Sequence, residues 1–315
     1  MKYVGVDISK QTFDAFNDEL GSRQFSNDNV GFKSFKKWMG SSVQVVMEAS
    51  GPYYLRLAHD LYCAHIPVSV INPLVIRRFC QMNLQRAKTD KKDAASIAQF
   101  AQLTKPSSWS PAPEYLQQLL QMQSVMEQLT RQQTSTLNAM EALKQHPLID
   151  KKAQNALSKV SQIQKQQIAQ LEKEIMELTK RHYQTEYVSL TSIPGIGKKT
   201  AMLLILATDG FTRFENIKQL VAYTGIAPRI FQSGKTINKK PKISKLGMAD
   251  LRRSLYMCTL SAIEQNEACK NLYERLRQKG KAAKVALMAV CHKLLRQAFA
   301  VVKNKTQYKT ELSFA

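Results

Sequence analysis

The sequence predicts a mixed α/β domain at the front, a long helical pair in the middle and a mainly α, strongly basic domain at the rear. Three observations carry this. Short β-branched runs alternate with helical spacing over the first hundred residues; a sustained four-three apolar spacing follows; then comes a glycine-punctuated helical pattern holding most of the charge. The boundaries fall at 1–105, 106–185 and 186–315. A chain of 315 residues is too long for one small core, so more than one domain is expected.

The runs Tyr3–Ile8, Gln11–Phe16 and Arg23–Ser26 read as three strands joined by tight turns, the second turn carrying Asn17-Asp18 and Gly21. Phe32, Phe35, Trp38 and Met39 recur at helical spacing. Val43–Met47 is a fourth strand delivering Glu48 at its end, Tyr54–His65 is helical, and Val68–Ile71 is a fifth strand closed by Asn72-Pro73. A helix bearing Arg77 and Arg78 follows, and a last one opens at Lys88-Thr89-Asp90-Lys91-Lys92-Asp93-Ala94. Residues three apart on a helix share a face, so Asp90 and Asp93 can aim at one point. The same residues also suit an ordinary helix start, with Thr89 as cap and acids in the first turn. Asp7 and Glu48, each near the end of a strand, tip the balance. If their strands are neighbours, four carboxylates converge at one sheet edge and require hard cations between them. Asp14, Asp18, Glu19 and Asp28 are read as solvated.

Pro106, Pro111 and Pro113 mark a linker. Beyond it Tyr115, Leu119, Met122, Met126, Leu129, Gln133, Thr136, Met140 and Leu143 form a heptad seam, broken at His146-Pro147 and resumed by Ile168, Leu171, Ile175 and Leu178. This suits an antiparallel hairpin or a coiled coil between protomers.

The net charge is +22, from 46 Lys+Arg against 24 Asp+Glu. Its excess is +5 over the first segment, +2 over the second and +15 over the third. A polyanion is therefore the expected partner of the rear domain. Its longest apolar run, Ala201–Ala207, is too short to span a bilayer, so no membrane partner is expected. Five scattered cysteines without a C-x-x-C pair indicate neither zinc nor a disulfide framework, and the chain reads as reduced and cytoplasmic, with no signal peptide at its start.

Leu190–Ala201, containing Pro194-Gly195-Ile196-Gly197-Lys198-Lys199, has the form of a helix-hairpin-helix turn, with Lys198 and Lys199 beside a helix N-terminus that can take a phosphate. Gly234-Lys235-Thr236 is not a P-loop, because the motif's first glycine would fall at Arg229. On the residues alone, Ser233 is a solvated hydroxyl or a phosphate contact in a basic turn. Lys235, Lys239, Lys240, Lys242, Lys245, Arg252 and Arg253 around it read as phosphate contacts, and Ser244 as a helix cap or phosphate ligand. Ala282–Val302 is a final amphipathic core helix.

The blocks Val6-Asp7-Ile8-Ser9-Lys10, Glu48-Ala49-Ser50-Gly51-Pro52-Tyr53, Val70-Ile71-Asn72-Pro73 and Lys88–Ala94 resemble the RuvC-like domain of the insertion-sequence-110 family of transposases, a pattern shared with Piv-type DNA invertases. Gln232-Ser233-Gly234, Ile243–Gly247, Leu251-Arg252-Arg253 and Leu255-Tyr256-Met257 match the second domain of that family in order. The resemblance implies an RNase-H-like front domain in which Asp7, Glu48, Asp90 and Asp93 bind one or two Mg²⁺ ions. It implies that Ser233 attacks DNA and becomes covalently joined to it. It also implies double-stranded donor and target DNA, a structured non-coding guide RNA, a homo-oligomer (dimer or tetramer) in which serine and acids can come from different subunits, and a nucleoid-associated place in a bacterium or archaeon. The competing expectations are an invertase without a guide RNA, a hydrolytic RNase-H-type or junction nuclease in which Ser233 is incidental, and a nucleic-acid-binding protein without catalysis.

Overall fold

A computed structural model describes residues 2–84, 90–233 and 237–310, and the side chains of these except 90–91, 230–233 and 237–241. The chain forms two compact units, Met1–Ala112 and Pro113–Ala315.

The first unit begins with β1 (Lys2–Ile8), β2 (Thr12–Asn17) and β3 (Gly21–Ser26), an antiparallel meander. Helix α1 (Asn29–Met39) follows, its N-cap Asp28 accepting from the amides of Gly31 and Val30 at 2.8 and 2.9 Å. Those amide bonds, with the Ser26 hydroxyl, hold the Asp28 carboxyl below its ordinary pKa. Then come β4 (Val43–Glu48), α2 (Tyr54–Cys63), β5 (Val68–Ile71), α3 (Pro73–Met82) and α4 (Asp90–Thr104). The five strands lie in the order β3-β2-β1-β4-β5, with β1, β4 and β5 parallel.

Alternation along the strands divides the sheet into two faces. Val4, Val6, Ile8, Val43, Val45 and Met47 bury one face against Phe32, Phe35 and Met39 of α1 and Leu57, Ala58 and Leu61 of α2. The other face, with Tyr3, Gly5, Val46 and Ile71, is covered by α3 and α4 through Ile76, Ile97 and Ala101. At Gly5 helix and strand touch backbone to backbone: a β-carbon there would lie 2.1 Å from the Ala94 carbonyl oxygen and 2.5 Å from the Ala98 amide nitrogen. Ala94, Ala98 and Ala101 are fully buried, so small residues on the helix and none on the strand set this depth.

The proline-rich segment read as a linker is tied to the sheet. Gln44, 5% exposed, donates to the Pro106 carbonyl at 2.9 Å, Ser69 donates to Ser107 at 2.7 Å, and the Trp109 amide reaches the Val68 carbonyl at 2.6 Å.

The second unit opens with α5 (Glu114–Leu143) and α6 (Lys151–His182). Tyr115 at the start of α5 stacks on His182 at the end of α6, ring centroids 4.0 Å apart and planes 4° from parallel. The pair is therefore an antiparallel hairpin within one chain, and every heptad-seam residue predicted on α5 is buried or partly buried. Next come α7 (Gln184–Thr191), α8 (Lys198–Thr208) and α9 (Ile217–Thr224), then a hairpin of β6 (Pro228–Ser233) and β7 (Ile237–Ile243) that the expected mainly α rear domain did not include. Helices α10 (Ala249–Gln265), α11 (Glu267–Gln278) and α12 (Ala283–Lys303) complete the unit. By length and composition α12 could cross a membrane, yet Val290, Leu294, Leu295 and Ala298 are fully buried in the fold, as its amphipathic pattern predicts.

Gly5→Ala forces helix and strand apart and is expected to cost about 1–3 kcal/mol, read from the denaturation midpoint of the first unit. Burial raises the thiol pKa of Cys269 and Cys291 from 9.0 to about 12. An unfolded thiol ionises near its ordinary value while the folded one keeps its proton, so the stabilisation is present below about pH 9 and is lost as the pH rises toward 12. A Cys291→Ala variant should lose less stability than the native chain between pH 7 and about pH 10 in urea titrations.

Candidate functional site: a carboxylate face and a basic helical unit

Asp7 sits one residue past the Val6↔Met47 pair that ends the β1–β4 ladder, which sets it beside Glu48. Both fall on the α4 side of the sheet, since Asp7 is two residues from Gly5 and Glu48 two from Val46. Both are partly buried. The end of β4 is fixed by the Ala49 amide, which donates to Ile71 at 2.9 Å. Because Ala94 is pressed onto Gly5, the first turn of α4 is held at the same end of the sheet. That turn carries Asp90 as its first residue and Asp93, also partly buried. The three elements thus converge as their sequence blocks predict. The Asp90 side chain lies outside the described residues, as does Thr89.

One acid read as solvated is not. Asp14 is 4% exposed and is the direct cross-strand partner of Asp7, on the same face beneath α4. Its Oδ2 accepts from Gln24 Nε2 at 3.0 Å, the residue opposite it on β3. Strand alternation cannot say which face a distant helix will cover, so spacing alone left Asp14 in solvent. Phe16, two residues on and on the same side, was the available hint that this side is covered. The exposed assignments of the other three hold: Asp28 caps α1, Glu19 pairs with Lys2 at 2.7 Å, and Asp18 accepts from Gln102.

The donors gathered here are carboxylate oxygens, which suit a hard divalent cation rather than a soft one. Ser50 Oγ, two residues past Glu48, is a buried hydroxyl with no hydrogen-bond partner among the described residues. Also among the described residues, no three His, Cys, Asp or Glu side chains form a ready metal-binding group.

In the second unit, Ser233 is the last residue of β6, paired through its backbone with Ile237 across a tip whose residues, Lys235 among them, lie outside the described residues. Lys239 and Lys240 lie on β7; their side chains lie outside the described residues as well. Lys242 and Lys245 are exposed. Ser244 caps no helix: its amide donates to Ala227 at 2.8 Å, and α10 starts after Met248. Arg252 is half-buried and donates to the Thr224 carbonyl at 3.0 Å, holding the end of α9. Arg253 is exposed and lies 3.2 Å from Asp250. Lys198 and Lys199 open α8, whose cap, Gly197, has no side chain to satisfy the first-turn amides. Lys199 pairs with Glu172 of α6 at 2.9 Å.

Comparison with known proteins places this combination of a carboxylate-bearing mixed sheet and a basic helical unit in the DNA transposase and recombinase class. Residues 4–146 match a family of DEDD type described as transposase, and residues 188–274 match the transposase IS116/IS110/IS902 family. The chain is 31% identical to the pilin gene-inverting protein of Moraxella bovis and 30% identical to that of Moraxella lacunata, over 97% of each chain. It is 24% identical to the transposase for insertion sequence element IS1111A of Coxiella burnetii, over 81% of this chain and 76% of that protein. This chain belongs to the IS110 family of transposases. The DEDD type points to use of a divalent metal.

Replacing Asp14 by alanine removes the acceptor of the Gln24 amide, which solvent can still reach, and is expected to cost about 0.5–1.5 kcal/mol in chemical denaturation. Asp14→Asn keeps an acceptor oxygen and should cost less.

Proposed function

We propose that this chain cuts and rejoins DNA at specific sites of a mobile element, with Ser233 as nucleophile and Asp7, Glu48, Asp90 and Asp93 as ligands for Mg²⁺ on an RNase-H-like sheet. The observation that carries the reading is the placement of Asp7 and Glu48 side by side on the helix-covered face, with the α4 turn bearing Asp90 and Asp93 held at that end through Gly5. The strand order β3-β2-β1-β4-β5, with an antiparallel meander leading into parallel strands, supports the RNase-H-like assignment.

In the proposed chemistry, Ser233 Oγ attacks a DNA phosphorus, its proton leaves, and a DNA hydroxyl departs carrying a proton. The broken end remains as a phosphoserine, and a hydroxyl from a new partner strand reverses the step without hydrolysis. Bound Mg²⁺ supplies stabilisation of the charge that builds on the phosphate oxygens. The four acids would hold the metal, and the basic rear unit holds the flanking phosphates through Lys198, Lys199, Lys235, Lys239, Lys240, Lys242, Lys245, Arg252 and Arg253. We propose further that a structured non-coding RNA pairs with donor and target, and that a homotetramer brings the serine of one subunit to the acids of another. A second reading, a DNA invertase acting without a guide RNA, is favoured by the full-length similarity to the pilin gene-inverting proteins.

Incubated with its DNA and Mg²⁺, the chain should form a protein–DNA adduct that survives denaturing electrophoresis and disappears in Ser233→Ala. Continued nicking by Ser233→Ala would establish a hydrolytic nuclease instead. Asp7→Asn and Glu48→Gln should each lower cleavage by about 100-fold while DNA binding persists. Sequencing nucleic acid that copurifies with the chain separates the two readings: a discrete folded RNA supports the guided transposase, and DNA alone the invertase.

A further inference from the structure

The second unit contains a groove of about 920 Å³ between the long helix α5, the start of α8 and the face of α10. Its charged lining is four cations, Arg131, Lys198, Lys199 and Arg253, against two carboxylates, Glu127 and Asp250. We propose that this groove is a track for a nucleic-acid phosphate backbone in which Arg131 of the helical hairpin is a direct phosphate ligand, its charge only loosely engaged by Asp250. The proposal deepens the reading above and rests on it.

The groove is shaped by packing rather than by loops. Gly195 has φ +100°, and a β-carbon there would stand 2.6 Å from the Ala262 β-carbon, so the α7–α8 turn is pressed onto α10. Beneath it Thr200 and Ser254 share a hydroxyl hydrogen bond of 2.8 Å, to which Cys258 adds its thiol at 3.2 Å from Thr200. The upper walls are charged. Asp250 bridges them, with one oxygen 3.8 Å from Arg131 of α5 and the other 3.2 Å from Arg253 of α10. Glu127, one turn before Arg131, stands 3.9 Å from it.

These distances decide what the arginines can do. A tight guanidinium–carboxylate bond is about 2.7–2.9 Å. Lys199 and Glu172 meet at 2.9 Å, and that pair serves to tie α8 to α6. The contacts of Arg131 are looser by about an ångström, and its side chain is 73% exposed. Asp250 is therefore a loose competitor that leaves the donors of Arg131 and Arg253 open to the groove. A phosphodiester entering between them meets two guanidinium forks that favour bidentate anion binding, together with the uncapped first turn of α8. A succession of phosphates fits four cations along three walls better than a single anion does, and the +15 excess of residues 186–315 draws the same partner.

The test is binding of labelled duplex DNA and of a folded RNA over a salt series, in EDTA so that no cleavage intervenes. Arg131→Gln should weaken binding and lower the slope of log affinity against log salt by about 0.9 for duplex DNA, the loss of one phosphate contact, with Arg131→Lys retaining most of it. Asp250→Asn should tighten binding by up to about five-fold, because a competing carboxylate is gone. An unchanged slope in Arg131→Gln, or weaker binding in Asp250→Asn, overturns the proposal, as does displacement of the DNA by polyglutamate of equal charge. The RNA arm shows which nucleic acid occupies the groove. Unchanged helicity by circular dichroism checks that each exposed variant is folded. If the native chain binds neither nucleic acid, the parent reading fails; if it binds and Arg131→Gln binds equally, the groove alone fails.

Discussion

The geometry of the first unit depends on one contact that has no side chain in it. Where α4 crosses β1, Gly5 lets the helix backbone come to the strand at a distance no residue with a β-carbon allows. A helix lying on a sheet normally stands off by the thickness of two side-chain layers, and its terminal residues then project over the sheet rather than toward its strand ends. Here Ala94 and Ala98 lie directly against Gly5, so the turn carrying Asp90 and Asp93 is held close to the sheet at the ends of β1 and β4. The acids on the strands need no such device. Parallel pairing of neighbouring strands places Asp7 and Glu48 side by side automatically, and period two places them on one face.

Bringing carboxylates together raises an electrostatic cost that the fold meets in part with its own groups. Like charges directly across a ladder repel, and Asp14 stands across from Asp7 with almost no access to water. Gln24 offsets part of this by donating to Asp14 from the next strand, continuing a polar row over three strands on the covered face. The row ends at Gln24 on one side and leads toward Asp7 and Glu48 on the other. Cations that bind at the strand ends would therefore act on a face already organised by hydrogen bonding. The second unit carries most of the chain's positive charge, which suits the DNA substrate expected of a transposase.

Most of the first unit was legible because its signals are local and periodic. Short runs of four to six residues between turn residues gave the five strands, and phenylalanines at helical spacing gave α1. The α5 seam was legible for the same reason, since a 3.5-residue repeat over nine positions has no other structural solution. What spacing missed was set by distant neighbours. The segment 106–109 reads as a linker by its prolines, and only Gln44 and Ser69, far back in the chain, turn it into a strap along the sheet. The β6–β7 hairpin escaped because Lys239-Lys240-Pro241-Lys242 opposes strand propensity, and because such a ribbon gets its pairing from backbone bonds rather than apolar alternation. The acid quartet was a different case. Asp90 and Asp93 alone describe any helix start, and it was the order of four blocks that singled them out.

The hairpin of α5 and α6 has a second consequence beyond packing. Its base is locked by Leu116, Leu119, Ile175 and Thr179, all buried, and by the Tyr115–His182 stack. At 1.5 Å per residue, Arg131 stands about 25 Å along α5 from that base, and the helix continues well past it. One close ion pair ties this stretch to the rest of the unit, Lys199 to Glu172 on α6, while Arg131 makes only a loose contact with Asp250 on α10. The near half of the hairpin is therefore a fixed wall of the basic unit, while the far half carries exposed Leu137, Leu148, Val160 and Ile163. A single pair of helices thus has one end packed into the basic unit and another whose apolar residues remain at the surface. Changes of sequence on either side of Arg131 act on different properties of the same element.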